Sequence, residues 1–165
     1  LVAVLFAISA ATALAALRPL ARRDAAEAAQ QRALALARDA LRGQAFQRRC
    51  ADPARPLAEL LACPEGAVEG DAAASCPGAS RGWLPWRTLG LPPLRDASGT
   101  CLWIERDGLA LRVVAPGAPT GAQLRNADPA RSVCPGGHDP AQYLDAGDAA
   151  ATLAIDPAEL AAACP

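Results

Sequence analysis

The side chains with the most chemical potential in this chain are six cysteines, at positions 50, 63, 76, 101, 134 and 164, and one histidine, His138. Thiolates and imidazoles hold transition metals or act as nucleophile and base, and each use leaves a mark in spacing. Structural zinc sites bring ligands in close pairs of the Cys-x-x-Cys kind. No such pair occurs here. His138 stands four residues after Cys134 in the turn-rich run Cys134-Pro135-Gly136-Gly137-His138-Asp139. A Cys134/His138 nucleophile pair needs a free thiol. An even set of cysteines, all beyond residue 49, reads instead as a disulfide framework formed in an oxidising compartment. Cys50, Cys63, Cys76, Cys101, Cys134 and Cys164 are all expected in disulfides.

Other constellations are weaker. Asp139, Asp145 and Asp148 could face a common hard cation such as calcium, which takes several oxygen ligands. Their spacing is not that of an EF-hand, and a solvated acidic loop is the better reading. No glycine-rich phosphate loop follows a strand. Without a nucleophile–base pair, a poised acid pair or a metal set, the sequence predicts a protein that is not an enzyme. It predicts no catalytic residue, no cofactor, no metal and no small-molecule substrate.

The elements that carry these residues begin with an uncharged run, 1–17 (LVAVLFAISAATALAAL). As a helix it spans about 25 Å, just short of a bilayer core of about 30 Å. A transmembrane helix is the favoured reading. A signal peptide cleaved near Ala13-Leu14-Ala15 is second, and a buried helix, apolar on every side, is third. The chain starts at Leu1 and not at Met, so a short upstream piece is expected. Strong helix formers then fill 20–49. Ala26, Leu34, Ala37, Leu41 and Ala45 share one face at steps of three and four. Residues 18–49 are therefore expected to continue the anchor as an amphipathic helix, with Arg18-Pro19 a place for a kink and Gly43 a weak point.

From Cys50 to residue 165 proline and glycine become frequent, and a separate β-rich head is expected. Asp-Gly at 107–108 predicts a hairpin between Leu102–Glu105 and Leu109–Val114, turning over 106–108. Leu109, Leu111 and Val113 would then line one face and cover the helix. Residues 152–155 suit a further strand. Asp52-Pro53, Asp128-Pro129, Asp139-Pro140 and Asp156-Pro157 each resemble a helix start, with Asp as cap and Pro in the first turn. Glu159 completes a capping box for a terminal helix over 157–163. In the run Gly82-Trp83-Leu84-Pro85-Trp86 the rings are expected to pack over the helix and close the core.

Charge is divided along the chain. Residues 1–49 carry eight arginines against Asp24, Glu27 and Asp39, a net of +5, and the remainder carries a net of −6. Copies could pair tail to head, the basic stretch could lie near anionic headgroups, or both could be solvated faces. Every basic residue is Arg, but no basic patch alternates with aromatics, which speaks against nucleic acid as a partner.

Several motifs together resemble the type IV pilin and pseudopilin superfamily, and more narrowly a group of prepilin-like proteins of proteobacteria. The Ala/Leu helix near Ala35-Leu36-Ala37-Arg38-Asp39-Ala40-Leu41 leads to a Cys-Pro-acid step, Cys63-Pro64-Glu65. A Leu-Pro-Trp-x-Thr-Leu-Gly-Leu run follows at 84–91. Asp96 to Gly99 then precedes Leu102-Trp103, and an Ala-Pro-Gly-Ala-Pro-x-x-x-Gln-x-Arg run spans Ala115 to Arg125. The resemblance thus covers about residues 34–125. Pilins also carry a Glu near the start of the mature helix, whereas 1–17 has no acid.

The resemblance implies an α+β fold, with a long N-terminal helix, transmembrane then amphipathic, packed on a small antiparallel sheet head with disulfides. It implies a structural subunit or accessory of a type IV pilus or type II secretion system. Its partners would be other pilin-like subunits, met through the helix, and the inner membrane, with the head in the periplasm. The competing reading is a membrane-tethered periplasmic domain that binds a partner without polymerising.

Six cysteines allow 15 pairings. Cys63–Cys76 closes a short loop and is expected. Cys134–Cys164 would fasten the last segment, an arrangement common among pilins. That leaves Cys50–Cys101 to tie helix to sheet.

Overall fold

The computed structural model describes residues 2–121, 123–144 and 151–156, and along 2–20 it describes the course of the backbone alone. One helix, α1, runs unbroken over Val2–Ala51. Its 50 residues correspond to about 75 Å at ~1.5 Å each. It passes through Arg18-Pro19 and Gly43 without ending, and Arg48 and Arg49 in the last turn complement the negative end of its dipole. Leu34, Ala37, Leu41 and Ala45 are all buried, as their three- and four-residue steps require. Ala26 on the same stripe is only half-buried, because it lies in the stretch 21–32 that is mostly exposed. The side chains of 1–17, expected to span a membrane, lie outside the described ones. Among the described residues no helix is long and apolar enough to cross a membrane.

The head is built on four antiparallel strands in sequential order: β1 (Ala79–Trp83), β2 (Trp103–Asp107), β3 (Ala110–Ala115) and β4 (Ala151–Ile155). Alternation along the strands divides the side chains between two faces. Ile104, Leu111, Val113, Ala115 and Ile155 point at α1 and form one core with its buried stripe. A four-residue helix, α2 (Leu57–Leu60), adds Leu60 to this core, and Leu61, Leu84 and Leu102 join it. Each fully buried Leu of this set stabilises by about 1.5–3 kcal/mol. The opposite face carries Trp83 directly across from Trp103, with Val114 beyond it.

The hairpin forms, but with a loop one residue shorter than expected. Asp107 pairs with Ala110, so the loop is Gly108-Leu109 and Arg106 belongs to β2. Gly108 takes φ +58 at the first turn position, which suits a two-residue hairpin loop. Leu109 therefore sits at the tip, 42 % exposed, and does not line the core with Leu111 and Val113. Asp52-Pro53 and Asp128-Pro129 start turns, not helices, with each Asp carboxylate accepting the N–H two residues on. Asp139 does cap a helix, the 3-10 turn Pro140–Gln142. The terminal helix expected over 157–163 lies outside the described residues.

Two described disulfides fasten the head. Cys63 bonds Cys76, the short-loop pair expected. Cys134 bonds Cys101, so neither the Cys134–Cys164 nor the Cys50–Cys101 pairing holds. The reason is the aromatic face. Cys101 enters β2 next to Trp103, and Cys134 lies in the segment that folds over that ring, which brings their Cα atoms to 5.8 Å in a shared buried cluster. Cys50 is disulfide-bonded as well, and Cys164 lies outside the described residues.

Candidate assembly surface and the charged pins of the head

Among the described side chains of α1, the buried ones, Leu34, Ala37, Leu41 and Ala45, all lie in its second half. Residues 21–32 are mostly exposed, although Gln30 still reaches the head, its Oε1 accepting the Ala97 N–H at 2.9 Å. On the side of α1 away from the sheet the sequence places Ala25, Ala29, Leu36, Gly43 and Phe46. Leu36 and Phe46 are two of the large hydrophobic side chains left exposed, at 46 % and 38 %. A Cβ added at Gly43 would meet nothing within 4 Å. This outer surface mixes small and apolar side chains with the charged Arg32 and Asp39.

The head that α1 carries is pinned by buried polar contacts. Glu65 opens the loop that leads to β1. Its carboxylate accepts the Gly70 N–H at 2.6 Å and pairs with the Arg131 guanidinium. Arg131 also donates to the Cys134 carbonyl at 2.6 Å and lies over the Trp83 ring at 5.0 Å. Glu69 accepts three successive backbone N–H groups, from Ser132 at 3.1 Å, Val133 at 3.0 Å and Cys134 at 2.7 Å. Burial by itself would raise the pKa of Glu69. The Cys134, Ser132 and Val133 N–H groups and the Arg131 charge outweigh it and hold the carboxyl below its usual range. Two distant stretches, 64–72 and 131–138, are locked together this way.

A second hub is Asp96. Its Oδ1 accepts from Ser98 N at 2.8 Å, Thr100 N at 2.9 Å and Ser98 Oγ at 2.6 Å, and its Oδ2 accepts from Gly117 N at 2.7 Å. Arg125 continues the lattice, donating to the Gly117 carbonyl at 2.6 Å and to Thr100 Oγ1 at 3.1 Å while covering the Tyr143 ring at 5.0 Å. These bonds satisfy the irregular backbone that crosses the aromatic face of the sheet. The Asp-x-x-Gly turn was visible in the sequence; the reach of its carboxylate to residue 117 was not.

The Leu84–Leu91 run is also absorbed internally. Trp83 stacks away from α1, 4.7 Å from Trp103 and 4.8 Å from Tyr143, which corrects the expectation that it closes the helix-side core. Trp86 is partly buried and packs against both clusters. Arg87 N and Thr88 N donate to the Gly70 carbonyl, and Thr88 Oγ1 accepts from Ala72 N at 2.8 Å, so the run is the dock for the 64–72 loop. Gly70 is required there: its φ is +84, and a Cβ would come within 2.6 Å of the Trp86 ring.

The sequence-level candidates for chemistry do not come together. His138 is exposed, its Nε2 lying 3.2 Å from Arg131 Nη1. Cys134, four residues before it, is buried in a disulfide. Asp139 spends its carboxylate on the Ala141 N–H at 3.0 Å; Asp145 and Asp148 lie outside the described residues. No group of three or more His, Cys, Asp or Glu side chains is placed to hold a metal among the described residues.

No protein-family model matches this chain, nor does any curated protein or any solved structure.

Proposed function

We propose that this chain is a pilin-like structural subunit or accessory of a type IV pilus or type II secretion system. In this reading it is anchored in the inner membrane by 1–17 and presents its head outside the cytoplasm. The chain contributes a helix for assembly and a disulfide-braced head, and it performs no catalysis. The observation that carries the reading is the mismatch between α1 and the sheet. A helix of 50 residues is far longer than a small head needs, and most of 21–32 stays exposed. The exposed Leu36 and Phe46 on the outer face of the helix would gain by burial against like helices. Covalent closure of the head by disulfides fits a domain held outside the cytoplasm, where thiols oxidise. The motif resemblance over residues 34–125 points the same way.

The test is to express the gene product with its upstream residues in a host that assembles such filaments. Alkaline carbonate extraction and shearing then follow. Retention in the membrane pellet together with recovery in sheared fibres supports the subunit reading. Retention in the pellet with none in fibres favours a tethered, partner-binding domain. Complete release by carbonate removes the anchor and with it the proposal.

A further inference from the structure

We infer that the cleft between the end of α1, α2 and the Cys63–Cys76 loop is a binding site for a small phosphate-type dianion. The cleft has a volume of about 470 Å³ and is lined by Arg48, Arg55 and Arg106, with Glu59 and the Cys63–Cys76 bridge completing the walls. Two of these guanidiniums are held by neutral acceptors alone. Arg106, itself buried, donates to the Ala58 carbonyl at 2.6 Å, to Cys76 Sγ at 3.4 Å and to the Gly108 carbonyl at 3.4 Å. Arg48 donates through Nη1 to the Leu60 and Leu61 carbonyls at 3.3 and 3.4 Å. Neither meets a carboxylate among the described residues.

Arg55 adds a third positive charge from the exposed side. Among the described residues it pairs with Asp52, at 3.6 Å, both side chains about half exposed. Glu59 is exposed too. Arg49 supports this side from behind, its Nη1 donating to the Arg55 carbonyl at 3.3 Å. Three arginines and one acid, Glu59, thus line the cleft, an excess of two positive charges. Burial, and after it the charge of Arg55, lowers the pKa of Arg48, as expected where desolvated cations crowd without a counterion. A dianion offsets that excess. Planar guanidinium forks match phosphate oxygens better than they match a single monovalent ion. The fold also supplies preorganisation: the bonds to Ala58, Leu60 and Leu61 fix Arg106 and Arg48 before any ligand arrives, and Arg48 Nε and Nη2 make no other hydrogen bond among the described residues.

The probe is inorganic phosphate, titrated calorimetrically into the full chain at pH 8 and at constant ionic strength. Saturable binding at one site is expected, weakened at least tenfold by Arg55→Gln. That exposed residue bears on no core side chain, so the melting temperature without phosphate should stay unchanged. Arg106→Lys should also weaken binding while keeping a donor for Ala58. Absence of saturation into the millimolar range overturns the inference, as does equal affinity in wild type and Arg55→Gln. Tight binding of succinate with no binding of phosphate overturns the phosphate assignment.

Discussion

Glu65 and Arg131, separated by most of the head in sequence, form an ion pair whose side chains are 0 % and 4 % exposed. A pair this deeply buried adds little net stability against an apolar substitute, but removal of one partner strands the other charge. Arg131→Ala is expected to destabilise the head by about 3–5 kcal/mol, read from urea denaturation midpoints. Replacing both residues by Met should cost clearly less than the single change. An Arg131→Ala protein as stable as wild type would mean that the pair does not hold the 64–72 and 131–138 stretches together.

Glu69 makes the same junction sensitive to acid. Its pKa is lowered in the folded protein, so its contribution to stability is full above the unfolded carboxyl value. The contribution is lost as pH falls through the lower folded value. Melting temperatures measured downward from pH 6 should therefore fall more steeply for wild type than for Glu69→Gln. The two profiles should converge in strong acid. Parallel profiles would contradict the bonds from Ser132, Val133 and Cys134.

Non-reducing peptide mapping should return Cys63–Cys76 and Cys101–Cys134. Cys50 is bonded to none of these four, so its peptide should appear in a further disulfide. The two described bridges differ in loop length, with sequence separations of 33 and 13. Chain-entropy arguments make loss of Cys101–Cys134 the costlier by about 1 kcal/mol, and its burial among Trp83, Trp103 and Tyr143 adds to that. Paired Cys→Ala variants, compared by denaturation, test the order.

Two glycines should respond in opposite directions to alanine. At Gly136 a Cβ would collide with the Tyr143 hydroxyl and lie 2.8 Å from the Trp83 ring, so Gly136→Ala should destabilise by about 1–3 kcal/mol. At Gly43 the space is open and the backbone helical. Gly43→Ala should stabilise by about 0.5–1 kcal/mol. Thermal melts of the two variants are sufficient.

Periodicity made much of this fold legible. The stripe Leu34, Ala37, Leu41 and Ala45, the hairpin around Asp107-Gly108 and the strand at 152–155 all follow from local pattern. What stayed hidden depends on partners distant in sequence. The strand β1, Ala79-Ser80-Arg81-Gly82-Trp83, has little intrinsic strand preference and is defined by its register with β2. The side to which Trp83 turns follows from that register. The partner of Cys134 follows in turn, since the aromatic cluster decides which cysteine it meets. Glu65 and Arg131 carry no local signal, because any Glu and any Arg look alike until the fold brings them together. The Arg48, Arg55 and Arg106 cleft is hidden for the same reason.

The central claim is that α1 serves assembly with helices like itself. It is tested most directly by a photocrosslinking amino acid placed in the full-length protein at Ala25 or Leu36, with Leu109 at the hairpin tip as control, in cells that express the filament system. The account predicts a ladder of adducts from Ala25 and Leu36 that contain this chain or other pilin-like subunits, and none of that pattern from Leu109. Uncrosslinked monomer at Ala25 and Leu36, under conditions where the filament assembles, would contradict it.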